Sequence, residues 1–294
     1  MRLPDIYDQR TGPVISFEIF PPKTQAAEAK LREAVPRLQA LRPAFVTCTC
    51  GAGGSTRERT LEIAAWIKHQ VGLESVCHLT CLGAGLPELR ATVGRIRQEG
   101  IENIVALRGD PPQESGPLPL PDDGPSHAIE LVRLIRTEEV ELGRRFGVGV
   151  AGYPETHPEA PSAEIDLRHL KEKVDAGGDV VLSQLFFDNQ AFYRFRERAR
   201  AVGIAVPVVP GLMPIQSAKQ VRHITGLCGA AIPDHLEAQL SQAGDDPAAV
   251  TEIGTRHCLS QARDLLQNGV PGIHFFVLNH SRQMAAIMQG LGLA

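Results

Sequence analysis

A single-domain (β/α)8 barrel spanning residues 1–294 is the fold class this sequence predicts. Three observations carry it: eight short apolar runs of β-forming residues, amphipathic helical stretches between them, and a chain of 294 residues, near the usual size of about 250 for such a barrel. The runs are VISFEIFP (14–21), AFVTCTCG (44–51), SVCHLTCLG (75–83), NIVALRGD (103–110), GVGVAGYP (147–154), DVVLSQLFFD (179–188), VPVVPGLMP (206–214) and GIHFFVLN (272–279). Nearly continuous apolar strands suit a parallel sheet covered on both faces. An open doubly wound sheet is the alternative, but Gly51-Ala-Gly-Gly54 lacks the G-x-G-x-x-G spacing of its phosphate-binding turn. No Walker A sequence occurs either.

In the first run, alternation puts Ile15, Phe17 and Ile19 on one face and Ser16, Glu18 and Phe20 on the other. Pro21-Pro22 then ends the strand. A carboxylate near the end of an apolar strand is costly unless it has a partner or a task, so Glu18 is singled out. After the second run, TRERTLEIAAWIKHQVG reads as a helix, with Ser55-x-x-Glu58 as its capping box. LPELRATVGRIRQEG follows the third run and stops on Gly100. PPQESGPLPLPDDGPS (111–126) reads as a mobile surface loop before a helix at 127–146. DLRHLKEKVDAGG and NQAFYRFRERARAVG each close on glycine. The segment 215–271 has room for two or three helices, one opening at Asp246-Pro247.

Composition narrows the function classes. The chain is 43% hydrophobic and 22% charged with a formal net charge of −4, and no basic stripe suggests nucleic acid. No apolar run reaches 18 residues, so no membrane span is expected, and MRLPDIYDQRTG lacks the apolar core of a signal peptide. Six cysteines at this length fit a reducing compartment, and a cytoplasmic protein is expected. Cys48, Cys50, Cys77 and Cys81 with His78 could be read as a metal site. However, they sit in apolar strand-like runs without a C-x-x-C loop, so buried thiols and no metal are the expectation.

Active sites of this barrel lie at the strand C-terminal ends, and polar residues fall late in seven of the runs. They are Glu18, Thr49, His78, Arg108 with Asp110, Tyr153, Gln184 with Asp188, and Asn279. That recurrence predicts an enzyme. No H-x-x-x-H or H-x-E pair and no G-x-S-x-G elbow appears, which leaves an organic cofactor or acid–base chemistry.

SFEIFPPK, TCTCGAGGSTRERT, CHLTCLG, GIENIVALRGDPP, GYPETHPEA, DLRHLKEKVDAGGDVVLSQLFFD, PVVPGLMP and FFVLN occur in that order. Together they resemble methylenetetrahydrofolate reductase of the short bacterial, FAD-dependent type over about residues 14–292. The resemblance implies a barrel that holds FAD, is reduced by NADH or NADPH in ping-pong fashion, and passes a hydride to 5,10-methylenetetrahydrofolate, giving 5-methyltetrahydrofolate. It also implies a homo-oligomer. Glu18 matches the family's general acid, and a pKa raised by Phe17 and Phe20 would keep it protonated. Asp110 matches a carboxylate between flavin and folate, contacting both. Thr49, Cys50, Ala52, His78, Arg108, Gly109, Asp110, Ala128, Tyr153, His157, Ala160, Asp166, His169 and Lys173 match FAD-lining positions, Arg108 and Lys173 being suited to the diphosphate. Asp166, His169 and Lys173 share one helix face by their spacing. Asp110, Gln184, Gln220 and His280 match folate-side positions, Gln220 also meeting the nicotinamide nucleotide.

The sequence departs from the family at Cys50 (usually aromatic), at His169 and Glu172 (an amide and a basic residue), and at His280 (often arginine, a charge Arg282 could supply). Rival readings are a proline-dehydrogenase-like flavin barrel, a zinc- and thiol-dependent methyltransferase barrel, and a catalytically silent binding barrel.

Overall fold

The computed structural model describes residues 1–22, 24–51, 56–111, 121 and 123–293. Its strands are β1 (Val14–Ile19), β2 (Phe45–Cys48), β3 (Ser75–Thr80), β4 (Asn103–Leu107), β5 (Gly147–Gly152), β6 (Val180–Leu185), β7 (Val208–Leu212) and β8 (Gly272–Phe276). They pair in parallel in sequence order, and β8 returns to β1 to close the barrel. The closing register runs from Val14 opposite Gly272 to Glu18 opposite Phe276. Each strand lies inside one of the eight apolar runs.

The helices are α1 (Leu3–Gln9), α2 (Gln25–Gln39), α3 (Arg57–Trp66), α4 (Leu86–Gln98), α5 (Ala128–Leu142), α6 (Ala163–Asp175), α7 (Asn189–Ala201), α8 (Ala218–Cys228), α9 (Asp234–Ala243), α10 (Pro247–Gln267) and α11 (Ser281–Leu291). Three of them, α8 to α10, fill the long connection between β7 and β8. Asp246 caps α10 as its sequence suggested, accepting from the N–H groups of Ala248 and Ala249. The capping box read for α3 starts on a residue that is not described. Ser55 lies outside the described residues, Thr56 occupies the cap position, and Glu58 pairs with Arg95 instead. Past Trp66 the helix widens into a π-turn (Ile67–Val71) and stops at Gly72. Among the described residues no helix is long and apolar enough to cross a membrane.

Strand alternation sorts the side chains into two layers. Ile15, Phe17 and Ile19 join the large core between barrel and helices. Val14, Phe45, Val76, Val105, Val180, Leu182 and Val209 instead fill the lower barrel interior, together with Leu3 and Ile6 of α1. This plug was not foreseen: the polar start of the chain folds into a helix whose two buried residues, three apart, share one face. Asn103 anchors it, accepting from the Leu3 N–H (2.6 Å) and donating to the Met1 carbonyl (2.9 Å). Gly147 makes the close approach possible, since a Cβ there would sit 2.5 Å from the Leu3 nitrogen.

Leu3 is fully buried where the barrel would otherwise open to water. Leu3→Ala should therefore lower unfolding stability by about 2–5 kcal/mol, read from denaturant midpoints. A change below about 0.5 kcal/mol, the range of an ordinary surface substitution, would show that α1 does not seal the barrel.

Candidate active site

Above the plug the barrel interior turns polar. Glu18 on β1 is 6% exposed, and one of its oxygens collects all its partners. Thr47 of β2 donates its hydroxyl to Oε2 (3.2 Å), and His274 Nε2 of β8 lies 3.1 Å from the same atom. His78 Nε2 of β3 is 3.3 Å away, but it is not aligned for a hydrogen bond and has no other partner. On the far side of His274, Nδ1 meets the Ser16 hydroxyl at 2.8 Å. Oε1 of Glu18 has no hydrogen-bond partner among the described residues.

This arrangement corrects one expectation. Phe17 points into the helix layer and Phe20 is 38% exposed, so neither builds an apolar pocket for the carboxyl. Burial alone would push the pKa of Glu18 up, but His78 and His274 outweigh it and lower it from 4.5 to about 2. The direction is therefore opposite to the one read from the neighbouring phenylalanines.

The loops after β4 and β5 carry a different chemistry. Arg108 directs its two terminal nitrogens at the Glu159 carboxylate (2.5 and 2.8 Å) and its Nε at the Gly109 carbonyl (3.2 Å). Gly109 has φ +87, and a Cβ there would meet Thr80 at 3.0 Å, which explains glycine at this turn. Asp110 follows at the exposed rim, its charge felt by both Arg108 and Tyr153. It caps no described helix, because the next one begins at Ala128. Burial is the main cause that pushes Tyr153 up to about 12, with Asp110 adding to it and Gln184 opposing. Its ring meets His157 edge-on at 4.6 Å. Burial lowers the pKa of His157, helped by Arg108.

On α6, Asp166 accepts from the His157 backbone N–H (2.9 Å) and so fixes the loop that carries Ala160. Lys173 donates Nζ to the Ala151 carbonyl at 2.6 Å. The residue as a whole keeps some exposure, yet burial of the ammonium lowers its pKa to about 8 against the opposing charge of Asp166. His169, between these two on the same helix, is exposed.

The remaining assigned residues are spread around the rim. Thr49 is buried, with its carbonyl held by the Thr60 hydroxyl, and Cys50 Sγ lies 3.5 Å from Thr80 Oγ1. Gln184 folds its amide oxygen onto the Leu185 N–H (2.8 Å). Gln220 is exposed in the first turn of α8, and His280 is exposed just ahead of α11. Ala52 lies outside the described residues, as do 112–120 and 122 of the loop read between β4 and α5. Two polar rim residues are structural: Asp188 caps α7, and Asn279 pairs with both backbone groups of Phe20 (3.0 and 3.1 Å).

Sequence reasoning missed Ser16, Thr47, His274 and Glu159. Alternation in the last strand, Gly272-x-His274-x-Phe276, does place His274 on the inward face, and that was the available signal. Cys48 and Cys77 lie in the core between barrel and helices, and burial pushes both thiols up, which leaves them unreactive. Among the described residues no cluster of three acids, histidines or cysteines could hold a metal ion.

Could these residues hold a flavin dinucleotide? Two cationic side chains, Arg108 and Lys173, stand over the β4–β6 rim, and Lys173 makes no ion pair with a described carboxylate. A buried ammonium stripped of water and left without a salt bridge favours an anionic ligand. The donor set fits a diphosphate.

Comparison with known proteins gives the family. The family model for methylenetetrahydrofolate reductase matches residues 3–292. The 5,10-methylenetetrahydrofolate reductases of Pectobacterium carotovorum and Escherichia coli K12 are 39% and 38% identical, the match covering 95% of this chain and 90% of each of theirs. Methylenetetrahydrofolate reductase (NADH) 1 of Zea mays is 38% identical over 97% of this chain, which spans about half (49%) of that longer protein. In fold, an uncharacterised Clostridium thermocellum protein described as binding 5-methyl-5,6,7,8-tetrahydrofolic acid superposes with a TM-score of 0.63 at 13% identity, over 99% of this chain and 97% of its own. A barrel closed in this order, a match along nearly the whole chain and bacterial relatives of almost the same length agree: the chain belongs to the methylenetetrahydrofolate reductase family.

Proposed function

We propose that this chain reduces 5,10-methylenetetrahydrofolate to 5-methyltetrahydrofolate, with FAD as resident cofactor and NADH or NADPH as reductant in two alternating half-reactions. The observation that carries the reading is the asymmetry of Glu18: Oε2 is pinned by its strand partners while Oε1 has none among the described residues. The flavin would supply the hydride, and Arg108, Lys173, Tyr153, His157 and Gly109 are the residues that would hold it. Six unpaired cysteines support a reducing cytoplasm. Assembly as a homo-oligomer belongs to the same reading and is checked by sedimentation.

The acid chemistry follows from the side chains. Opening the substrate's five-membered ring makes a cationic iminium and frees an amine nitrogen that must gain a proton. Glu18 Oε1 is the atom that would hold that proton toward the substrate. Burial raises its pKa, yet the contacts with His78 and His274 outweigh burial and hold the carboxyl well below the ordinary range, so the proton must be supplied to it for the reaction. His274 Nε2, braced by Ser16, is placed to restore it. Asp110, exposed and without a described hydrogen-bond partner, is free to offset the iminium charge.

Glu18→Gln should retain flavin and its bleaching by NADH while folate-dependent reoxidation slows by roughly 10²–10⁴-fold, the usual reach of general acid catalysis. Stopped-flow traces separate the two half-reactions, and wild-type reoxidation by this variant would remove Glu18 from its role.

Acid unfolding tests the His274 contact. A carboxyl whose folded pKa is depressed contributes stability that is complete above its unfolded value near 4.5 and lost as pH falls toward about 2. His274→Gln raises the folded value, narrows that gap and should flatten the fall of urea midpoints between about pH 4.5 and 2. An unchanged or steeper fall would contradict the contact.

Lys173 gives a pH dependence of the opposite sign. With its pKa near 8, it loses its charge as pH rises, so FAD affinity should fall between about pH 7.5 and 9. Fluorescence titration should show that fall in the wild type and not in Lys173→Met.

A further inference from the structure

The contact between Arg108 and Glu159 bears on how a diphosphate could be received. A guanidinium offers an anion parallel pairs of N–H groups. Here both are engaged: the terminal nitrogens on Glu159, and the Nε side on the Gly109 carbonyl. The Glu159 backbone is fixed by its own N–H on His157 Nδ1 (3.1 Å), and His157 is tied in turn to Asp166. The carboxylate is thus aimed at Arg108 by a built loop. Its side chain is nevertheless 59% exposed, against 26% for Arg108, so it can swing into water while the guanidinium stays in place.

We infer that Glu159 is a displaceable stand-in for the cofactor's diphosphate, holding the Arg108 fork in position until the dinucleotide takes it over. This rests on the flavin reading given above. A carboxylate and a diphosphate cannot occupy the same pair of N–H groups, so binding is an exchange of one anion for another on Arg108. The carboxylate keeps the guanidinium from the nearby charge of Asp110, which also acts on it. The exchange costs little because an exposed ion pair is weak. Glu159 is a positioning residue in this scheme and touches no reacting atom.

The test measures FAD affinity of the flavin-stripped protein by fluorescence quenching. Glu159→Gln should tighten binding roughly two- to five-fold, the fold-change that loss of an exposed ion pair allows. Glu164→Gln is the control. It removes the same charge at the start of α6, where Glu164 makes no contact with Arg108 among the hydrogen bonds and ion pairs of the described residues, and should leave affinity unchanged. Equal tightening in both variants would show a general field effect and overturn the exchange, and so would unchanged or weaker binding in Glu159→Gln. Wild-type chain that binds no FAD is a separate result, which defeats the flavin reading itself and this inference with it.

Discussion

Burying a carboxylate in the throat of a barrel is the constraint around which the upper half of this molecule is arranged. Glu18 reaches inward from β1 and draws groups from β2, β3 and β8 to one of its oxygens. Its backbone carbonyl also accepts from the Val277 N–H (3.1 Å), which ties the end of β8 to the same point. A buried polar network of this kind is tolerable when its members largely satisfy one another, because the low-dielectric interior magnifies any unpaired charge; here His78 Nε2 is the member left without a hydrogen bond. That accounts for the unusual polarity of the barrel centre, where Ser16, Glu18, Thr47, His78 and His274 are all buried.

The two ends of the barrel follow from this. Below the network, α1 and a ring of valines shut out water, so the carboxylate is reached only from the strand C-terminal side. Above it the backbone turns through two consecutive non-glycine residues at positive φ. Leu278 and Asn279 both adopt positive φ (+48 and +62), a conformation that non-glycine residues take only when the surroundings enforce it. The Asn279 side chain provides the enforcement by pairing with the backbone of Phe20. The rim beside Glu18 is therefore closed by a clamp between the first and last strands, and the polar residue singled out there serves the scaffold.

Around the rim the chemistry divides. The side built from β1, β2, β3 and β8 gathers one acid and two imidazoles in contact. The side built from β4, β5 and α6 carries two cations, Arg108 and Lys173, beside loops that Asp166 and Gly109 shape. Asp110 and Tyr153 stand on the loops where the second of these sides meets substrate in the proposed reaction. Only a closed sheet brings both sets of strand ends to one mouth.

By itself the sequence determined the barrel, because strand and helix periods are local properties written every two or every 3.6 residues. Alternation alone also fixed that Glu18 faces away from Ile15, Phe17 and Ile19, and the motif order carried the family. Local pattern could not reveal the α1 plug, whose value lies in closing a hole made by eight distant strands. It could not give the partner of Glu18 either, since His274 is 256 residues further along and meets it only because β8 pairs with β1. The ionisation of Glu18 was misjudged for the same reason: the phenylalanines beside it in sequence point elsewhere, while the imidazoles that decide its charge are neighbours only in the folded sheet. Covalent neighbours set a side chain's direction, but its electrostatics belong to whatever the closed barrel places within about 4 Å.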